Sequence, residues 1–381
     1  MEPTPDTRHR HDMPRGARLA WILALAYLLI IIYASLQPFR GWRFPPAEIL
    51  GFLTAPWPRY ITLNDILINL VAYVPFGFLI ALGLALRLGN LAAVTLATLI
   101  SALLSLAMEG AQMFLTSRIA SNVDLLTNSA GALFGAMAAP LLSPTGFPGR
   151  RIAALRRHWF IPGTLADAGL VIVFLWLLTH LHPTSQLFGT GYLRATFDLP
   201  AYFAHAPQLL ALAEAAVVFF NLLGLGLLVS ALMRGALRPL TLVAVVIATG
   251  LLIKAIAAVA LLKLATPLSW LTPGVALGLL AGALLLYPLS RAPRRVKTAV
   301  ATLCFCAAIT AINLAPENPY QTLPPQLLAG GPSHFLSFSS IIRALSELWP
   351  FLTIGYLLAT AGAGAVKSRS AQTRAVMRNR L

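Results

Sequence analysis

A polytopic, all-α bundle of transmembrane helices is the fold class this sequence predicts, on three observations. Of its 381 residues 58% are hydrophobic and only 10% charged, with a mean hydropathy of +0.78; soluble domains carry about a quarter of their residues as charges. Apolar windows of roughly twenty residues, the length that crosses a hydrocarbon core as a helix, recur from Leu19 to the C-terminus. The Lys and Arg residues gather mostly in alternate breaks between those windows, the pattern of cytoplasmic loops.

Taken in order, the breaks delimit about ten spans, near 19–36, 65–86, 91–115, 123–142, 165–182, 209–232, 239–263, 268–289, 298–315 and 345–366. The first follows a polar, basic tail over 1–18 and is too long for a signal-peptide core, so it reads as an uncleaved span. Arg150, Arg151, Arg156 and Arg157 mark an inner loop, as do Arg291, Arg294, Arg295 and Lys297 and the tail 367–381. An even number of spans with both termini cytoplasmic is therefore expected. The net charge of +16 is explained by these short loops and tails, so nucleic acid is not expected as a partner. The domain order that follows is 1–18 tail, 19–142 four-helix core, 143–164 basic cytoplasmic linker, 165–366 second helical half and 367–381 tail.

The acids have the opposite distribution. Glu48, Asp65, Glu109, Asp124, Asp198, Glu214, Glu317 and Glu347 fall in outer loops or outer halves of spans. Because acids hardly influence insertion, this clustering points to a site opening toward the extracytoplasmic face. A weak repeat accompanies it: the first, fifth and ninth spans end at Pro38, Pro183 and Pro316, and Pro350-Phe351 echoes Pro75-Phe76. That suggests a degenerate 4+4+2 arrangement, of a kind found in transporters and in purely structural folds.

The polar residues of spans 2 to 4 form stripes. Asp65 and Asn69 are four apart, with Tyr73 and Pro75-Phe76-Gly77 beyond them; Ser101, Ser105, Glu109, Gln112 and Thr116 keep to one helical face. On span 4, Asp124, Asn128, Gly131 and Gly135 do the same, with Arg118 and Asn122 in the loop before. Carboxylates and amides are costly in lipid, so they face a protein interior or a wet cavity and mark a functional site by default. Each also has a plain structural reading: Asp65 and Asp124 as N-caps, Glu109 as an interhelical clamp with Asn69 and Asn128, and the glycine pair as a close-packing step. Six side chains, Asp65, Asn69, Glu109, Gln112, Asp124 and Asn128, are expected in one cavity near the outer boundary, with Arg118 at its rim.

The order Asp65-x3-Asn69-x5-Pro75-Phe76-Gly77, then Glu109-x2-Gln112, Arg118, Asp124-x3-Asn128 and the Gly131/Gly135 pair resembles the VanZ-like family, over about residues 30 to 142. That family is named for a bacterial membrane protein associated with teicoplanin resistance. The resemblance implies a protein of the bacterial inner membrane acting on or near the cell envelope, and supplies no reaction.

Two readings follow, with a third behind them. In the first, an anionic, lipid-linked envelope molecule such as a polyprenyl phosphate binds at the outer leaflet. Arg118 contacts its headgroup, Glu109, Asp124 and Asp65 position a group or a proton, and Asn69, Gln112, Asn128 and Ser105 line the site. In the second, Glu109 loads and releases a proton in a secondary transporter; in the third the protein is a non-catalytic scaffold. Whether an enzyme is present stays open, as no nucleophile stands out. No cofactor or metal is expected. Cys304 and Cys306, two apart, face different sides of a helix, and His180, His182, His205 and His334 match no ligand spacing. Lys254, deep in a span, has no partner identifiable from sequence.

Overall fold

The computed structural model describes residues 15–36, 39, 41–44, 48–58, 61, 63–142, 146–181, 187–188, 190–194, 206–234, 239–262, 268, 270–316, 342 and 345–362. Most of the two predicted tails, Pro38 and Pro183, His182, His205, His334, Asp198 and Glu317 lie outside those residues.

Among the described residues the fold is all-α. In chain order the helices are α1 (Arg15–Leu36), α2 (Leu63–Leu88), α3 (Asn90–Gln112), α4 (Asn122–Leu142), α5 (Phe147–Trp159), α6 (Thr164–Thr179), α7 (Pro207–Leu232), α8 (Pro239–Leu262), α9 (Pro273–Leu289), α10 (Arg294–Leu314) and α11 (345–362). Six of them, α2, α3, α4, α7, α8 and α10, are long and apolar enough to cross a membrane, and α1, α6 and α9 carry shorter apolar stretches. The protein is a multi-pass membrane protein. Helix α5 occupies the segment expected to be a linker.

Local chemistry sets the helix ends. Prolines 207, 239 and 273 open α7, α8 and α9, where a missing backbone donor costs nothing. Thr272 caps α9: its hydroxyl accepts from Val275 N at 3.2 Å and donates to Glu214 Oε2 at 2.6 Å. Between α2 and α3 the whole connection is Gly89, at φ +78°, a left-handed conformation that a side chain would disfavour. Helix α3 stops at Gln112, earlier than expected, so Thr116 lies beyond it and is exposed rather than continuing the stripe.

Two compact units divide the chain, the first running to Ala154 and the second starting at Leu155. In the first, α2 and α4 make the most extensive contact, with α3 and α1 against them. They pack in parallel and very closely: a Cβ on Gly131 would fall on the Leu70 carbonyl, one on Gly135 on the Val74 carbonyl, and one on Gly77 on the Ala132 carbonyl. Small residues at these positions are what permits backbone-to-backbone approach in lipid, where helices gain little from burying apolar surface against each other. The same face of α4 continues with the enclosed Ala132, Ala136 and Ala139, against Tyr73, Phe76 and Ile80 of α2.

In the second unit α7 is the central helix, almost wholly enclosed, with α9 and α10 as its main neighbours. Gly224 and Gly226 of α7 give room to Phe305 and Leu286. Trp176, Phe305 and Trp349 are the largest aromatic side chains of this core. His180 is 4% exposed and sits edge-on to Trp176 at 4.3 Å. Cys304 is buried and Cys306 exposed, on different sides of α10.

Candidate functional site

Near the common end of α2, α3 and α4 the structure gathers a buried polar cluster. Two helices supply its first link, Asn69 Nδ2 on α2 donating to Asp124 Oδ1 on α4 at 2.8 Å. A second joins α4 to α3, where Asn128 Nδ2 donates to Ser105 Oγ at 2.9 Å. Both links depend on the parallel, glycine-spaced packing of α4 on α2, which lets short side chains bridge the gap. Glu109 is 2% exposed, and its Oε2 accepts from Ser121 N at 2.8 Å, so the carboxylate holds the loop that leads into α4. The Tyr73 hydroxyl lies among Ser105, Glu109 and Asp124. Ser101, one turn further along α3, is enclosed too, but its hydroxyl is spent on the Ala97 carbonyl at 2.7 Å.

Arg118 is placed differently from the expectation. Rather than standing at a rim, it is 5% exposed, and its Nη2 donates to the Ala34 carbonyl at the end of α1 at 3.0 Å. Burial lowers the guanidinium from its ordinary value, while the negative charges of Glu109 and Asp124 raise it. Gln112 makes a parallel contact, its Nε2 donating to the Ser35 carbonyl at 3.2 Å. Arg118 and Gln112 thus satisfy carbonyls that the last turn of α1 leaves without helical partners. The loop after α1 pairs with the loop after α3, Arg43 N donating to Phe114 O at 2.8 Å and Thr116 N to Gly41 O at 3.1 Å.

The cluster brings together Asn69, Ser105, Glu109, Gln112, Arg118, Asp124 and Asn128. Asp65, one turn before Asn69 on α2, is only half-buried. Glu109 is three residues from the end of α3, about 4.5 Å along its axis, and Asp124 lies in the first turn of α4. Two enclosed amide oxygens of the cluster, Gln112 Oε1 and Asn128 Oδ1, have no hydrogen-bond partner among the described residues. The parts missed from sequence are the carbonyls of Ala34 and Ser35 and the backbone N–H of Ser121. No residue type signals a main-chain partner, although the loop length between α3 and α4 constrains where one must fall.

Among the described residues no group of three or more His, Cys, Asp or Glu is placed to hold a metal ion. In the second unit Lys254 is fully enclosed and interacts electrostatically with His180. That neighbour was not identifiable from sequence because 74 residues separate the two positions along the chain.

Compared with known proteins, residues 19–143 match the family described as VanZ/LLP1. No curated protein and no solved structure matches the chain.

Proposed function

We propose that residues 19–143, which match the VanZ/LLP1 family, bind an anionic, lipid-linked molecule of the cell envelope, at a pocket formed around the polar cluster and opening to the extracytoplasmic side. One observation carries this reading. The cluster joins a buried arginine to two carboxylates and to two enclosed amide oxygens without hydrogen-bond partners among the described residues. Buried polar groups are almost always satisfied, so oxygens left over at a helix end favour a ligand that supplies the missing partners. Both are amide carbonyls, which only accept. The ligand would therefore bring hydrogen-bond donors as well as an anion, as a phosphate carrying sugar hydroxyls and amides does.

In this reading Arg118 balances the anionic group, a task that its planar, always-charged guanidinium suits. Glu109 and Asp124 hold the arginine, the three carboxylates Asp65, Glu109 and Asp124 orient the ligand's donors or a proton, and Asn69, Ser105, Gln112 and Asn128 line the site. Whether chemistry follows binding is left to experiment, and a role in glycopeptide resistance is supported by the family alone. The position of the cluster at helix ends favours surface binding over the proton-coupled transporter, whose sites lie near the bilayer midplane.

The test is ligand-induced stabilisation. A polyprenyl phosphate that binds only the folded protein raises its melting temperature, and the rise should grow with concentration. Arg118→Lys keeps the charge but loses the fork and should weaken the response, while Asn128→Ala should also reduce it. If no polyprenyl phosphate shifts the wild type, or both variants respond as the wild type does, the proposal fails.

A further inference from the structure

Helix α5 was read from sequence only as a cluster of inner charges, and the structure gives it a shape. Pro148, Ile152, Leu155 and Trp159 advance by four, three and four residues and form one apolar stripe along the helix. Ile152 and Leu155 are 53% and 57% exposed, so nothing among the described residues covers the middle of the stripe. Arg150 and Arg157 lie on the opposite face, and Arg151 sits beside the stripe with its guanidinium 4.5 Å over the exposed ring of Phe147. Between Gly146 and Thr164 there is no acidic residue.

The C-terminal end of α5 is tied to the ends of two apolar helices. Ile161 N donates to Leu232 O and Arg234 N to Trp159 O, both at 2.9 Å, around an antiparallel bridge between Phe160 and Met233. Arg234 Nη1 also donates to the Arg157 carbonyl at 2.9 Å. Arg156 reaches Asp167 in the first turn of α6 at 2.6 Å and the Ile161 carbonyl at 2.9 Å. These contacts hold α5 where α6 begins and α7 ends. Arg156 is paired there with Asp167, whereas Arg150, Arg151 and Arg157 of the same helix have no ion pair among the described residues.

We propose that α5 is an interfacial helix, its Ile152 and Leu155 stripe sunk into the edge of the acyl region and its arginines gathering anionic phospholipid headgroups. A moderate apolar stripe backed by arginines, with few acids, is the make-up of helices that lie in the plane of a membrane surface. Anionic lipids supply the charge that the segment lacks, and each arginine near such a surface adds roughly fivefold to the attraction.

The full chain reconstituted in nanodiscs tests this. In a Cys304→Ala, Cys306→Ala background, spin labels are placed singly through Ile152→Cys, Leu155→Cys, Arg150→Cys and Arg157→Cys. Labels at 152 and 155 should relax with oxygen, which concentrates in lipid, and labels at 150 and 157 with a water-soluble nickel chelate. In parallel, phosphatidylglycerol added to phosphatidylcholine discs should raise the melting temperature of the wild type. Most of that rise should disappear when Arg150, Arg151 and Arg157 are all replaced by Gln. The proposal is overturned if all four labels respond alike to the nickel chelate, or if the triple variant keeps the full phosphatidylglycerol effect. Labels at 152 and 155 shielded from both reagents in a dimeric protein would overturn it as well, by assigning the stripe to a second copy of the chain.

Discussion

Replacing Gly131 by Ala inserts one methyl group where the structure has no room for it. A Cβ built at this position lies 2.8 Å from the carbonyl carbon of Leu70 and 2.9 Å from its Cα, with the carbonyl oxygen closer still. Non-bonded carbons rest about 3.5–4.0 Å apart, so α2 and α4 must separate by about 1 Å. Both sides of the contact are main chain, and no side-chain rotation relieves it. Two turns away the Asn69 to Asp124 bond, now 2.8 Å, would be stretched beyond a useful length. Overpacking of this kind costs about 1–3 kcal/mol and a lost hydrogen bond to a charged group about 1.5–3 kcal/mol, together about 2.5–6 kcal/mol. Thermal unfolding in detergent, followed by intrinsic fluorescence and by the onset of aggregation, reads the loss. Gly355→Ala on α11 is the control, because its Cβ meets nothing within 4 Å; it should be neutral or stabilise by up to about 1 kcal/mol. A Gly131→Ala protein that melts with the wild type, or a Gly355→Ala protein that falls as far, would refute the packing argument.

Two further outcomes follow from single contacts. Arg118→Ala strips the buried Glu109 and Asp124 of their cation and should cost about 3–5 kcal/mol. Adding Glu109→Gln should restore a large part of that loss, and strict additivity in the same melts would show that the charges do not interact. Thr272→Val removes both the cap on Val275 N and the donor to Glu214, and should cost about 1–2 kcal/mol. Melting unchanged from the wild type would remove Thr272 as the anchor of α9.

Much of the fold was legible because apolar runs and their breaks are written directly in residue type. The runs beginning near Asp65, Leu91 and Val123 became α2, α3 and α4, and Asp65/Asn69, Ser105/Glu109/Gln112 and Asp124/Asn128 share faces because helical spacing is arithmetic. Helix α5 was missed for a related reason: a window of twenty residues averages Ile152 and Leu155 with five arginines and histidines and loses a stripe that a four, three, four count reveals. The inward turn of Arg118 had no signal, since its partner at Ala34 is a carbonyl that any residue could offer. The burial of His180 depends on Trp176 and Phe188 enclosing it, and His180 and Phe188 flank a break that reads from sequence as a solvated loop.

The single residue joining α2 to α3 has a mechanical consequence. With Gly89 as the entire connection, neither helix can slide along its axis without carrying the other, so the depths of Asn69 and Glu109 are geared together. Helix α4 is keyed to α2 by the interlocking at Leu70, Val74 and Ala132, which blocks the same motion on the other side. The three helices therefore behave as one stiff frame. Freedom to move is left to the segments beyond its end, where the strand-like pairing of Trp42 with Leu115 rests on a few main-chain hydrogen bonds.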